Sequence, residues 1–345
     1  MDQRLLVAGL AAVLLLAAVG GGLLLASTVP SAGSDATTSA ALAWTPPLVV
    51  DFRHRAGEPN LRIDHEGRIY AGAPCGLLGC NQGWFWRSLD RGATWEFIHH
   101  VAPDRNVFDK REWRLSVAPG GGDSDIAVTP GGRIYYADLY SAEISVSRSD
   151  DAGVTWLRSH PAVSNVPIGD RPWIAVHGED RVFVGFNQVP YGPMVTRSVD
   201  GGLTWTTHPA TPPHWIGKWW TVGNIVANPR DGTLVFPHTA CDDAGRCAFE
   251  VWASVSRDGG LTWTQHLVRA AEGDTSGVFP AIAQDRWGFL YVAWSEERAG
   301  GSRSVYVASS GDLGLSWSEP ALVSGDLNAV MPWVVAGSRG RVGVA

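Results

Sequence analysis

One octapeptide pattern, Ser-x-Asp-x-Gly-x-Thr/Ser-Trp, occurs five times in this chain: SLDRGATW (88–95), SDDAGVTW (149–156), SVDGGLTW (198–205), SRDGGLTW (256–263) and SGDLGLSW (310–317). Its acidic residues, Asp90, Asp151, Asp200, Asp258 and Asp312, recur at intervals of roughly 50 to 60 residues, the spacing of a repeated supersecondary unit. Each position has a physical use. The Asp carboxylate accepts backbone N–H groups further along the turn, Gly supplies a positive φ, and the hydroxyls tie the ends together. The Trp opens the returning strand and brings roughly 150 to 250 Å² of ring surface to bury against neighbouring sheet. The pattern therefore describes a hairpin turn stapled to a core.

Upstream of each turn, and once more near the C-terminus, stands a pair of short apolar runs around a second turn. These are PNLRIDHEGRIYAGA (59–73), SDIAVTPGGRIYYAD (124–138), PWIAVHGEDRVFVGF (172–186), GNIVANPRDGTLVFP (223–237), PAIAQDRWGFLYVAW (280–294) and PWVVAGSRGRVGVA (332–345). β-Branched and aromatic residues between Gly, Pro, Asn and Asp punctuation read as strands, and no amphipathic helix of useful length interrupts them. One complete unit is strand, turn, strand, loop, strand, Asp turn, strand. Such four-stranded units, repeated about an axis, are propeller blades. The 17 Trp and 41 Gly of the 345 residues fit stacked rings and many turns.

The octapeptide resembles the Asp box, or BNR repeat, of the sialidase (neuraminidase) superfamily. The resemblance spans residues 58–345 and implies an all-β, six-bladed sialidase-like β-propeller. It speaks to fold more than to activity, because similar boxes occur in sialidases, xyloglucanases, sortilin-type receptors and photosystem assembly factors. The chain stops at RVGVA, in the second strand of the sixth unit. The sixth blade is therefore expected to be incomplete, with LVVDFRHR (48–55) as a candidate closing strand, and the sequence reads as truncated.

The remaining organisation concerns compartment and partners. Leu5 to Ala26 carries no charge, which suits either an uncleaved membrane anchor or a removed signal peptide (1–26), and a Ser/Thr/Ala-rich tether follows within 27–57. Either way the propeller is expected outside the cytoplasm, secreted or anchored. Four cysteines fall into two close pairs, Cys75 with Cys80 and Cys241 with Cys247, which an oxidising compartment would join as local disulfides. A zinc site is disfavoured, because neither pair has the usual two-residue spacing and no His pair accompanies them. A formal charge of -7, with basic residues dispersed, argues against a nucleic-acid partner. GGGD (120–123) is not a phosphate loop, since no Lys-Ser/Thr follows it.

If the Asp turns join the two outer strands of each blade, they occupy one face, and function is expected on the other. There, near the starts of the inner strands, stand Glu58, Asp123, Asp125, Asp170 and Arg171. They could form an acid/base set, a calcium site or a self-neutralising ring of charge. No cofactor is required, and calcium stays open as an occupant. Segments 107–125, 208–224 and 295–303 add Arg111, Arg114 and Arg298, with Glu296 or Glu297 as a tyrosine's partner. His214, Trp215, Lys218, Trp219 and Trp220 form either a sugar-stacking platform or blade-to-blade core. The five box carboxylates are read as structural. Arg87, Arg148 and Arg197, each directly before a box Ser, are read as solvated positions on the far face.

What the resemblance implies can be set against these residues. Sialidases hold the substrate carboxylate with three arginines and use an Asp acid/base and a Tyr activated by Glu. Asp123 or Asp125 fits the acid/base role. The first arginine belongs to a Phe/Tyr-Arg-Ile-Pro motif, but here AGEPNLRI (56–63) has Gly57 in its place and Arg62 on the wrong side of Pro59. The nucleophilic Tyr comes late in sialidases and would lie beyond Ala345. Two functions follow: a propeller that binds extracellular glycan or protein through its loop face, or an exo-α-sialidase-like glycoside hydrolase.

Overall fold

A computed structural model describes residues 46–54, 56–74, 83–98, 120–140, 143–159 and 169–345. The expected leader, Cys75, Cys80, Arg111 and Arg114 lie outside them. The chain divides into two units, Met1–Leu48 and Val49–Ala345, and every sheet belongs to the second.

Five sheets repeat one antiparallel meander. The first contains β1 (Asn60–Ile63), β2 (Ile69–Ala73), β3 (Trp84–Ser88) and β4 (Glu96–Phe97). The second contains β5 (Gly120–Val128), β6 (Ile134–Tyr140), β7 (Glu143–Ser149) and β8 (Leu157–Ser159), and the third β9 (Gly169–His177), β10 (Arg181–Gln188), β11 (Gly192–Ser198) and β12 (Thr206–Pro209). In the fourth, the inner edge is split into β13 (Trp219–Val222) and β14 (Val226–Ala227), both pairing β15 (Leu234–Ala240), followed by β16 (Glu250–Ser256) and β17 (Thr264–Ala270). The fifth is β18 (Ala281–Gln284), β19 (Leu290–Glu297), β20 (Arg303–Ser310) and β21 (Ala321–Leu322), and a two-stranded sixth sheet pairs β22 (Val334–Ala336) with β23 (Val342–Val344). All six sequence hairpins are therefore present. Among the described residues the helical content is one 3-10 turn, Pro213–Trp215, and no helix is long and apolar enough to cross a membrane.

The sheets surround one axis. Ile63 of β1, Val128 of β5, Ile174 of β9, Val226 of β14 and Gln284 of β18 all line a single cavity of about 520 Å³. Val334 of β22 packs with Ala281, Tyr291 and Ala293 of the fifth sheet. The cores lie between consecutive sheets: Tyr135, Ala137 and Val146 pack with Ile174, Val184 and Phe186, and Val235, Val251 and Val255 with Ile282, Val292 and Trp294. Where β13 gives way to β14, Gly223 runs so close to the fifth sheet that a Cβ would meet the Pro280 carbonyl oxygen at 1.8 Å. Glycine is required there by proximity.

The Asp turns share one bonding scheme. In the first, Ser88 Oγ donates to Asp90 Oδ1 at 2.8 Å, the Thr94 N–H donates to the same oxygen at 2.8 Å and Thr94 Oγ1 to Oδ2 at 2.6 Å. The other four repeat it through Asp151, Asp200, Asp258 and Asp312. The residue after each Asp lies at positive φ: Gly201 and Gly259 in two turns, but Arg91, Ala152 and Leu313 in the others. These carboxylates are consumed by the turn, as a structural role requires.

Two expectations need correction. Arg87 and Arg148 are not solvated strand positions: their side chains are 12% and 21% exposed, and each reaches the next blade's turn, Arg87 Nη1 to the Ala152 carbonyl at 2.7 Å and Arg148 Nη1 to the Gly201 carbonyl at 3.1 Å. The Arg197 guanidinium likewise lies against Gly259. They are clamps between blades. The segment around Asp51 adds no strand to the sixth sheet. It straps the outside of the first, where Asp51 Oδ2 accepts the Trp86 indole N–H at 3.0 Å and His54 stacks on Phe97 at 3.9 Å.

Candidate functional site

Meander order separates the two ends of the axis. Ile63 pairs with Ile69, which pairs with Ser88, so the ends of the inner strands share a face with the Asp turns. The starts of the inner strands open on the opposite face. A second axial cavity lies there, about 440 Å³, lined by Glu58, Asn60 and Arg62 of the first sheet, Asp123 and Ser124 of the second, Arg171 and Trp173 of the third, Phe279 of the fifth, and Met331 and Trp333 of the sixth. Among the described residues, the fourth sheet contributes none of its lining.

Two β-bulges aim the charged groups. Between the pairs Gly120↔Tyr140 and Ser124↔Asp138, three residues of β5 ending in Asp123 face one residue of β6. Between Trp173↔Gly185 and Asp170↔Asn187, Arg171 and Pro172 face one residue of β10. Bulges re-aim side chains that regular alternation would send elsewhere. The backbone is strained around the pocket: Glu58, Arg171 and Met331, at φ 44°, 55° and 57°, occupy the left-handed region, and each precedes a proline. Strain of this kind gathers where geometry is held for a ligand.

Arg62 forms the floor. It lines both axial cavities, and its Nη2 donates to Asp125 Oδ1 at 3.0 Å. Asp125 is 1% exposed, and its oxygens also accept the N–H groups of Ile126 at 2.9 Å and Ile174 at 3.0 Å. Burial pushes this carboxyl up, opposed by Arg62 and by the two backbone donors. Asp125 thus sits beneath the pocket, its oxygens engaged in holding Arg62 and joining the second sheet to the third.

Asp123 is the carboxylate that faces the cavity. Burial, and next the charge of Glu58, push its carboxyl up to about 6; Arg171 opposes this and Asp170 reinforces it. A like charge beside a half-buried carboxyl favours its protonated form. Asp170 is exposed, and its Oδ1 caps the Arg171 N–H at 3.0 Å. The Arg171 guanidinium lies over the Phe279 ring at 5.1 Å. Among the described residues it makes no ion pair within 4.0 Å. Trp173 meets Phe279 edge-on at 5.0 Å and stacks against Trp333 at 5.8 Å, completing an aromatic wall.

Of the residues expected from sequence, Glu58, Asp123, Asp170 and Arg171 come together here. Others do not. Glu296 is buried in the fifth sheet, where its carboxylate accepts the Glu272 N–H at 3.1 Å and pairs with Arg269 at 3.6 Å. Arg298 sits on an exposed hairpin, 3.9 Å from Asp326, and Glu297 pairs with Arg303 at 3.7 Å. Trp215 packs edge-on against Trp252 at 4.9 Å, and the Trp219 indole donates to the Pro190 carbonyl at 3.3 Å, with His214 and Lys218 exposed beside them. The Trp220 side chain lies outside the described residues. Among those residues no group of three or more His, Cys, Asp or Glu is disposed to hold a metal, and no tyrosine lines the pocket. Cys241 and Cys247 are joined by a disulfide in the loop between β15 and β16.

Sequence reasoning missed Arg62, Trp173, Phe279, Met331 and Trp333. A signal was present: EPN, RPW, FPA and MPW each put a proline at the start of an inner strand, where its missing N–H is tolerated, and set the lining residues around it.

By sequence, neither a family model nor a curated protein matches the chain. Solved structures do. The α-L-arabinofuranosidase Arb93A of Fusarium graminearum matches with a TM-score of 0.51 at 14% identity, covering 85% of this chain and 88% of that one. The intramolecular trans-sialidase of Ruminococcus gnavus matches with a TM-score of 0.52 at 13% identity, covering 84% and 89%. The endosialidase of phage phi92 matches with a TM-score of 0.50 at 11% identity, covering 82% of this chain and 60% of that one. The chain has the sialidase-like β-propeller fold.

Proposed function

We propose that the protein is a glycan-binding propeller whose axial pocket receives a carboxylate-bearing sugar unit. The observation that carries this reading is the pocket's composition: a Trp173–Trp333–Phe279 wall for an apolar sugar face, with Arg171, which makes no ion pair among the described residues, over its Phe279 ring and the Glu58 and Asp123 carboxyls in the same cavity. A planar guanidinium suits a carboxylate, and hydrogen-bonding carboxyls suit sugar hydroxyls. A cavity of about 440 Å³ is within the range of small-ligand sites. Export, with secretion or membrane anchoring, belongs to the same proposal; the uncharged stretch Leu5–Ala26 and the Cys241–Cys247 disulfide support it.

Hydrolysis is the second reading, favoured by Asp123, whose carboxyl near 6 can still hold a proton to give to a leaving group.

A glycan array probed with wild type and Trp173→Ala tests the binding reading. Retention of acidic glycans by wild type and their loss in the variant is expected; equal signals from the two would exclude the pocket. Fluorogenic glycosides, assayed alongside at pH 4 to 8, decide the second reading: turnover abolished by Asp123→Asn supports it, and no turnover removes it.

A further inference from the structure

We infer that binding of an anionic ligand in the axial pocket is coupled to proton uptake by Asp123 beside Glu58, so that the two carboxyls together carry a single negative charge while the ligand's anion rests on Arg171. This deepens, and rests on, the reading of the pocket as a glycan site.

The geometry supplies the coupling. Asp123, re-aimed by a bulge, lines the same cavity as Glu58 and Arg171. Among the described residues, the titratable and charged groups around the pair are these. Glu58 precedes β1 and Arg62 lies on it; Asp125 lies on β5 below Asp123; Asp170 and Arg171 come from β9. Phe279, Met331, Trp333 and Val335, from the fifth and sixth sheets, add no titratable group to the lining. Arg62 is neutralised by Asp125, so its charge does not offset the pair. Among the described residues, that leaves Arg171 as the cation available both to the pair and to an incoming anion. With one proton the pair carries a single negative charge, and Arg171 can serve the ligand. Without it, a second negative charge competes for Arg171 and repels the ligand. The proton comes from solvent on binding and returns to it on release, and only the carboxyl O–H bond forms and breaks.

The test is calorimetric titration of the full chain with glucuronate, N-acetylneuraminate and, as a neutral control, glucose, from pH 5 to 7.5 in buffers of differing ionisation enthalpy. For a group titrating near 6, affinity for a bound acid should fall about tenfold between pH 5 and pH 7, with uptake of about 0.9 proton at pH 7. Glu58→Gln removes one charge. It should flatten the profile and bind the acid more tightly than wild type at pH 7, an outcome that structural damage would not produce. A bound acid whose affinity is constant across this range, with heats independent of buffer, overturns the coupling and leaves the glycan site standing. Failure of both acids to bind even at pH 5 overturns the glycan site itself. Carboxyl NMR of the ligand-free protein gives a separate reading: absence of a carboxyl titrating near 6, lost in Glu58→Gln, also overturns the coupling.

Discussion

Replacing Arg171 by glycine and, separately, by alanine isolates the backbone role of this position from the charge it carries. Arg171 sits at φ 55° in the bulge of β9, where an L-residue is held at a cost of roughly 1 to 2 kcal/mol. Glycine removes that strain but gains unfolded-state freedom worth roughly 0.4 to 1 kcal/mol, so the glycine variant should be about 1 kcal/mol more stable than the alanine variant. Both lose the contact with Phe279, worth about 0.5 to 1 kcal/mol, which leaves the glycine variant close to wild type. Both also lose the charged donor for the ligand's carboxylate, about 1.5 to 3 kcal/mol, or at least tenfold in affinity. Urea unfolding with calorimetric titration against an acidic sugar reads both quantities. An alanine variant as stable as the glycine one would refute the claim of strain, and wild-type affinity in either would remove Arg171 from the site.

Further outcomes follow from the same contacts. Asp200→Ala strips the third Asp turn of bonds from Ser198, Leu203 and Thr204 and should lower stability by about 1 to 2 kcal/mol while leaving ligand affinity unchanged, as denaturation and titration together would reveal. Hydrogen bonds from the turn hydroxyls and amides hold Asp90, Asp200, Asp258 and Asp312 down to about 2. Their stabilisation is therefore complete above about pH 4 and lost as pH falls through 2, and melting temperatures measured from pH 5 to 2 should drop across that window. Arg62→Ala leaves Asp125 buried without its cation and should cost about 3 to 5 kcal/mol in chemical denaturation, far more than Arg148→Ala, a turn clamp worth about 1 kcal/mol. Replacing Cys241 and Cys247 by serine opens a short loop, so stability should fall by about 2 kcal/mol at most, without effect on glycan binding.

The blades were legible in the sequence because their information is local: each Asp turn and each inner hairpin is written within fifteen residues. The face opposite the Asp turns also followed from strand order, and with it Glu58, Asp123, Asp170 and Arg171. Asp125 was not separable from Asp123, because alternation in a regular strand points both the same way, and the glycines at 120–122 mark where β5 can bulge without saying which carboxylate the bulge re-aims. Arg62 was set aside on a motif alignment, although its place at the axis depends on strand register and not on its side of Pro59. Trp173, Phe279 and Trp333 come from three sheets far apart in the chain, and only ring closure brings them together. Arg87 and Arg148 read as solvated because their partners belong to the next blade.

Crystallography of the protein with the tightest acidic glycan from the array bears most directly on the functional account. Density for a sugar ring against Trp173 and Trp333, its carboxylate on Arg171, is the expected result. Density on the Asp-turn face, or beside Trp215 and Trp219 with the axial pocket holding only solvent, would contradict it.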